Sequence, residues 1–244
     1  MKNRVLKTAL IGLTVLLTQS MCTKESMECF RFPDLDNQVQ YRDGFVLSYN
    51  ENHEQPNWVF YVMKPSDLIC DTKAKRNDNF KEDKGIQTGS ATLDDYKGSG
   101  YDRGHLKASA DESCDQEQMD ETFLMSNMSP QKPGFNRGVW KNLESYVREL
   151  AEVNDSIYVY TAGVLNNPID TIGDNNVTVP ASYYKIIYVF KGGYSKTYAY
   201  LLPNDKTSDP FDDFITTVGE IEVQTGISFP NPHDSYRFPK FYCN

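Results

Sequence analysis

Residues 101–111 read YDRGHLKASAD, and residues 136–150 read NRGVWKNLESYVREL. The first segment sets a cation (Arg103), a flexible glycine (Gly104) and an imidazole (His105) directly after Asp102. Those residue types suit holding a phosphate and accepting a proton near neutral pH, although four such residues alone also occur in ordinary surface turns. The second segment has a helical pattern. At about 100° per residue, Trp140, Leu143, Val147 and Leu150 fall within about 80° of arc, a stripe that faces a core. Asn136, Glu144 and Arg148 sit at roughly 0°, 80° and 120° on the same wheel, which puts Glu144 beside Arg148 at the edge of that stripe. In isolation these three read as a helix cap and an i,i+4 ion pair.

Working outward, Gly44–Tyr49 and Trp58–Met63 are rich in aromatic and β-branched residues and read as two strands joined by a polar loop over Asn50–Asn57. Lys64–Gly100 is polar and reads as a long surface loop. Ile157–Ala162 reads as a buried strand, and Tyr183–Phe190 with Tyr194–Leu202 flank Gly192-Gly193, a strong hairpin signal. Ser208 or Asp209 can cap a helix with Pro210 in its first turn, with Phe211, Phe214, Ile215, Val218 and Ile221 as its apolar face and Gly226 as its stop. Repeats and interdomain linkers are absent from the sequence. The pattern predicts an α+β fold, with an antiparallel β-sheet core and packed helices, formed by one domain over residues 22–244.

The chain has 244 residues, 39% hydrophobic and 24% charged, with 25 Lys+Arg against 34 Asp+Glu and a net charge of −9. This composition excludes a mainly disordered chain, and the acidic balance excludes coating of nucleic acid or anionic membrane by bulk attraction. A polyanion partner therefore needs a local basic strip, for which Arg76, Arg103, Lys107, Lys132, Arg137, Lys141 and Arg148 are the candidates.

Lys2, Arg4 and Lys7 precede an apolar run, Ala9–Leu17, that is too short to span a bilayer. Residues 1–21 thus read as an export signal, whose removal takes the net charge from −9 to −12. Cys22 follows Leu17-Thr18-Gln19-Ser20-Met21, which resembles a bacterial lipoprotein box with a poorly fitting Met21; cleavage after Ser20 is the alternative. The expected location is outside the bacterial cytoplasm: periplasm, outer-membrane lipoprotein anchored through Cys22, or secreted. The other cysteines, Cys29, Cys70, Cys114 and Cys243, form an even set suited to two disulfides in an oxidising compartment. Three pairings are open, one of which joins Cys29 to Cys243 and leaves Cys70 with Cys114. A zinc site is disfavoured, because no two cysteines stand two to four residues apart and the histidines are only His53, His105 and His233.

Taken together, Tyr101–Leu106, Ala110-Asp111, Thr122-Phe123, Ser126-Asn127, Pro130-Gln131, Phe135-Asn136, Trp140 and Leu143-Glu144 resemble the DNA/RNA non-specific endonucleases, the ββα-metal family that includes endonuclease G. Trp58, the group Arg76, Phe80 and Asp83, and Thr225-Gly226-Ile227 extend the resemblance over roughly residues 40–230. The chain departs from the family pattern at Lys107 and Ala108, where alanine and proline are more usual.

The resemblance implies a ββα-metal active-site motif and a magnesium-dependent endonuclease, with manganese able to substitute, that hydrolyses DNA and RNA to 5′-phosphate ends. By position it makes His105 the general base, Asn136 the direct metal ligand and Glu144 the holder of a metal-bound water. It makes Arg76, Arg103 and Arg148 the phosphate-gripping arginines; Lys107, a candidate of the basic strip, is expected as a further substrate contact. Asp102 is expected to orient the strand turn or its neighbouring arginine, and Asn127 and Gln131 to support the site. His53 and His233 match no family position and read as surface histidines. Two other functions fit parts of the same evidence: an exported lipoprotein that only binds nucleic acid, and a phosphodiesterase for small substrates. The presence of both His105 and Asn136 disfavours the first, and an open basic strip disfavours the second.

Overall fold

The computed structural model describes residues 32–33 and 38–231; the export signal, Cys22, Cys29, Cys243 and His233 lie outside the described residues. The strands are β1 (Gln38–Tyr41), β2 (Val46–Asn50), β3 (Gln55–Met63), β4 (Asp102–His105), β5 (Met128–Gln131), β6 (Ser156–Gly163), β7 (Asp170–Ile172), β8 (Val177–Val179), β9 (Ser182–Lys191) and β10 (Tyr194–Pro203). Six of them form one antiparallel sheet in the order β1-β2-β3-β6-β9-β10, while β4-β5 and β7-β8 are separate two-stranded ribbons. The α+β class with an antiparallel core is therefore the observed one.

The central strands read as nearly unbroken apolar runs because both faces of the sheet are covered. Strand register puts Tyr61, Val159, Thr161, Lys185 and Ile187 on one face and Phe60, Tyr160 and Ile186 on the other. On the second face Phe60 packs against Tyr160 at 4.7 Å between ring centres, and Phe229 covers Tyr160 and Tyr184 at 5.2 and 5.4 Å. The first face carries the β4-β5 ribbon and the helix Lys141–Val153, which buries Leu143, Val147 and Ala151. Just before that helix, Phe135 stacks on Tyr183 of β9 at 5.3 Å and Trp140 packs tilted against it at 5.7 Å. The Gly192-Gly193 hairpin forms as the sequence predicts, both glycines adopting positive φ (54° and 82°), a conformation that matches the twist of β9 and β10.

Three local expectations need correction. The helical stretch starts at Pro133, not Asn136: Pro133–Phe135 forms one turn, a wide turn spans Asn136–Trp140, and Gly138 leaves helical geometry (φ −108°, ψ −113°) before the regular helix begins at Lys141. The helix expected from Ser208 or Asp209 is only a short 3₁₀ turn at Phe211–Phe214, and the true helix is Val218–Thr225, capped by the Thr217 side chain. Between them Ile215 bridges Tyr200 and Thr216 donates to the Ala199 carbonyl, so pairing with β10 holds that stretch extended against its apolar helical pattern. Lys64–Gly100 is not simply a surface loop. The Lys81 amide donates to the Phe123 carbonyl (3.2 Å) and the Met125 amide to the Lys81 carbonyl (2.8 Å), while buried Asp83 ion-pairs with Arg42 and accepts from Ser126. Cys70 and Cys114 are disulfide-bonded, which ties this segment to the chain beyond His105.

Candidate active site

β4 pairs with β5 so that Asp102 lies opposite Gln131 and His105 opposite Met128, and the chain then turns into the helix carrying Glu144 and Arg148. Gly104 is required by packing: a Cβ there would fall 2.2 Å from Cδ of the buried Gln131 side chain lying across it. Beyond His105 the Asn127 amide clamps the backbone, accepting from the Lys107 amide (3.0 Å) and donating to the carbonyls of Lys107 (3.0 Å) and Thr122 (2.8 Å). Gln131 and Asn127 thus set the shape of the strand that holds the imidazole.

His105 is 9% exposed, with the Phe123 ring edge-on at 4.8 Å and Phe80 at 5.7 Å, and its Nε2 has no hydrogen-bond partner among the described residues. Burial pushes its pKa down to about 3; the charges of Arg76 and Arg103 push the same way and Asp78 opposes them. The imidazole is therefore neutral at any ordinary pH, the form a general base needs. In the unfolded chain the same group titrates near about 6.5, so below that pH the unfolded state binds a proton that the folded state refuses. Stability contributed by neutral His105 is consequently lost as pH falls from about 6.5 toward the folded value. Relative to a His105→Gln variant, the wild type should lose about 1.4 kcal/mol of unfolding free energy per pH unit between pH 6 and 4, measured by denaturant titration. A difference that stays constant with pH would mean that water reaches the imidazole freely.

Asn136 Nδ2 donates to Asp102 Oδ2 at 2.9 Å, and Arg137 grips the same carboxylate through Nε (2.9 Å) and a terminal nitrogen (2.6 Å). Asp102 therefore orients Asn136 and Arg137, not its neighbour Arg103 as its position in the sequence suggests. Because a carboxylate only accepts, this bond leaves the Asn136 Oδ1 as the end of the amide available to a ligand. The expected Glu144–Arg148 ion pair does not form; Arg148 donates to Asp111 Oδ1 (3.0 Å) and to Ser145 (3.0 Å). Half-buried Glu144 makes no hydrogen bond or ion pair among the described residues, and burial pushes its pKa up to about 7 against the favourable charge of Lys185. Arg76 is exposed, bonds Asp78 (2.7 Å) and Ser109 (2.9 Å), and lies over the Phe123 ring at 5.1 Å.

Lys107 is a correction. It is wholly buried, its ammonium ion-paired with Glu112 and donating to the Gly44 carbonyl (2.6 Å), so it cannot take part in a surface strip that meets substrate. Of the other strip candidates, Lys132 pairs with Asp205 at 3.2 Å and Lys141 is exposed. His53 is half-buried and bonded to Thr178 (2.8 Å), not a plain surface residue. Lys185, which sequence reading passed over, lies buried beneath the site: it donates to Thr161 (3.1 Å) and to the Leu106 carbonyl (3.5 Å), and sits 4.6 Å from the Trp140 ring centre. Burial pushes its pKa down to about 8. The available signal was a lone lysine inside the apolar run of β9.

Among the described residues no group of three His, Cys, Asp or Glu side chains could hold a metal ion. The donor set is instead one oriented amide oxygen with the Glu144 carboxylate eight residues on, which fits a hard cation that keeps most of its water. An antiparallel ribbon bearing His105, followed by a helical segment bearing Asn136 and Glu144, defines the ββα-metal class of nucleases.

The chain belongs to the DNA/RNA non-specific endonuclease family, whose model matches residues 28–235. It is similar to human mitochondrial endonuclease G, with 34% identity over 210 residues covering 80% of this chain and 70% of that protein. It is also similar to a nuclease of Nostoc sp., with 36% identity over 208 residues covering 80% and 73%. Among solved structures, an EndoG/EndoGI complex matches with TM-score 0.76 and 32% identity, over 81% of this chain and 87% of that one. The chain is thus a hydrolase of the endonuclease type, from a family that works with a divalent metal.

Proposed function

We propose that this protein is an exported, magnesium-dependent enzyme that cuts both DNA and RNA internally and leaves 5′-phosphate ends. The observation that carries the reading is His105: a buried, neutral imidazole whose Nε2 has no partner among the described residues, flanked by the charges of Arg76 and Arg103. His105 takes a proton from the attacking water; the water oxygen bonds to phosphorus, the bond from phosphorus to the 3′ oxygen breaks, and that oxygen leaves with the bonding pair and takes a proton from solvent. Arg103, Arg76 and Arg148 offset charge on the phosphate oxygens. Asn136, with its amide fixed by Asp102, and Glu144 would hold the metal and its water. When bound, magnesium supplies Lewis-acid stabilisation of the phosphate and an acidic water for the departing group. Export, with or without a lipid on Cys22, is supported by the pattern of residues 1–22.

Water as the nucleophile makes the ribose 2′-hydroxyl irrelevant, and arginines that hold phosphates read a backbone without direct sequence information. Matched DNA and RNA oligonucleotides should both be cut, with 5′-phosphate and 3′-hydroxyl termini. Mass spectrometry of the ends decides: cyclic 2′,3′-phosphates, or cleavage of RNA alone, would make the substrate's own hydroxyl the attacking group and overturn the assignment of His105.

A further inference from the structure

Five arginines lie among the described residues, and four of them are neutralised by a carboxylate: Arg42 by Asp83, Arg76 by Asp78, Arg137 by Asp102 and Arg148 by Asp111. Arg103 is the exception. Among the described residues it has no carboxylate within ion-pairing distance and its Nε has no hydrogen-bond partner; its guanidinium carbon sits 4.4 Å from the centre of the Phe80 ring. Phe80 is itself well anchored. It packs edge to face on Phe123 at 5.0 Å and against the small core that contains Tyr96, Met125 and Met128, and its neighbour Lys81 is pinned to Phe123 and Met125 by two backbone hydrogen bonds.

We infer that Phe80 is a positioning residue for phosphate binding: its ring face holds the Arg103 guanidinium beside His105 without neutralising it. A carboxylate in the same place would fix the side chain equally well, but would occupy some of its donors and offset part of the charge it brings to a phosphate, as Asp78 and Asp111 do for Arg76 and Arg148. An aromatic face attracts the cation through its quadrupole and leaves the in-plane N–H groups open. The inference rests on the reading of Arg103 as a phosphate contact.

The test compares ringless and ring-bearing variants, Phe80→Leu and Phe80→Met against Phe80→Tyr, in the wild type and in an Arg103→Gln background, with kcat and KM on a DNA oligonucleotide and thermal unfolding of each. Removing the ring should lower kcat/KM by about three- to thirtyfold, the range a cation–π contact spans, while Phe80→Tyr stays within about twofold of wild type. In the Arg103→Gln background the ringless variants should cost less than about twofold more. If Phe80→Leu fails to fold, Phe80→Met carries the comparison. Ringless variants that keep wild-type kcat/KM while Arg103→Gln is impaired would overturn this inference alone, as would a ring effect of equal size in the Arg103→Gln background. Wild-type activity of Arg103→Gln would overturn the phosphate-contact reading and the platform with it.

Discussion

Replacing His105 by alanine should lower cleavage of plasmid DNA by about 10²- to 10⁴-fold, the usual range for loss of a general base, and should leave substrate affinity close to wild type. The imidazole is buried against Phe80 and Phe123, makes no hydrogen bond through Nε2 to any described residue, and is neutral because burial and two arginines oppose its protonation. A group so placed has little structural work to do through that nitrogen, and in the proposed function the phosphate contacts are assigned to the arginines. The loss should therefore fall on kcat, with KM nearly constant, in gel-based or fluorescent cleavage assays with the metal in excess. A variant that retains a third of wild-type turnover would remove His105 from the chemical step.

The second large effect concerns Asn136. Asn136→Ala removes the amide oxygen that the Asp102 hydrogen bond leaves available, and should raise the concentration of magnesium needed for half-maximal cleavage by more than about 10- to 100-fold. Asp102→Asn is the companion: an amide can donate as well as accept, so the Asn136 side chain is no longer held in one orientation, and a shift of about 10- to 100-fold is expected there. Arg137 also loses its carboxylate in that variant, so Arg137→Gln serves as its control. Chelator should abolish cleavage by the wild type. An Asn136→Ala protein with the wild-type response to magnesium would place the metal on other residues.

Most of the fold was legible because it is written in short range. The two glycines between β9 and β10 demand a hairpin, and the apolar stripe Leu143-Val147 demands a helix against the sheet. Both signals depend on residues within a few positions of one another. The misreadings share the opposite property. Ile215 belongs to a helical apolar pattern, yet β10 recruits it and Thr216 as extended chain, a contact that no local pattern encodes. Lys64–Gly100 looks like solvent-facing loop by composition, but the Arg42–Asp83 pair and the hydrogen bonds of Lys81 fasten it down beside the site.

The sequence by itself determined the class of site through its resemblance to the non-specific endonucleases, carried by Tyr101–Leu106, Phe135-Asn136 and Leu143-Glu144 as an ordered set, because the same residues in isolation read as a turn, a cap and an ion pair. Only the tertiary structure decided the partnerships among the charges. Asp102 took Arg137 and Asn136, Asp111 took Arg148 away from Glu144, Lys107 sank into the core against Glu112, and Arg103 came to rest on Phe80. Three of these partnerships, those of Asp102, Asp111 and Phe80, join residues more than twenty positions apart, and helix and strand periodicity carry no record of them. Lys107 and Glu112 stand close in sequence, but their burial depends on the sheet beneath them. Charged side chains meet whichever countercharge or ring the packed sheet and helix bring within reach, and that is settled when the layers close.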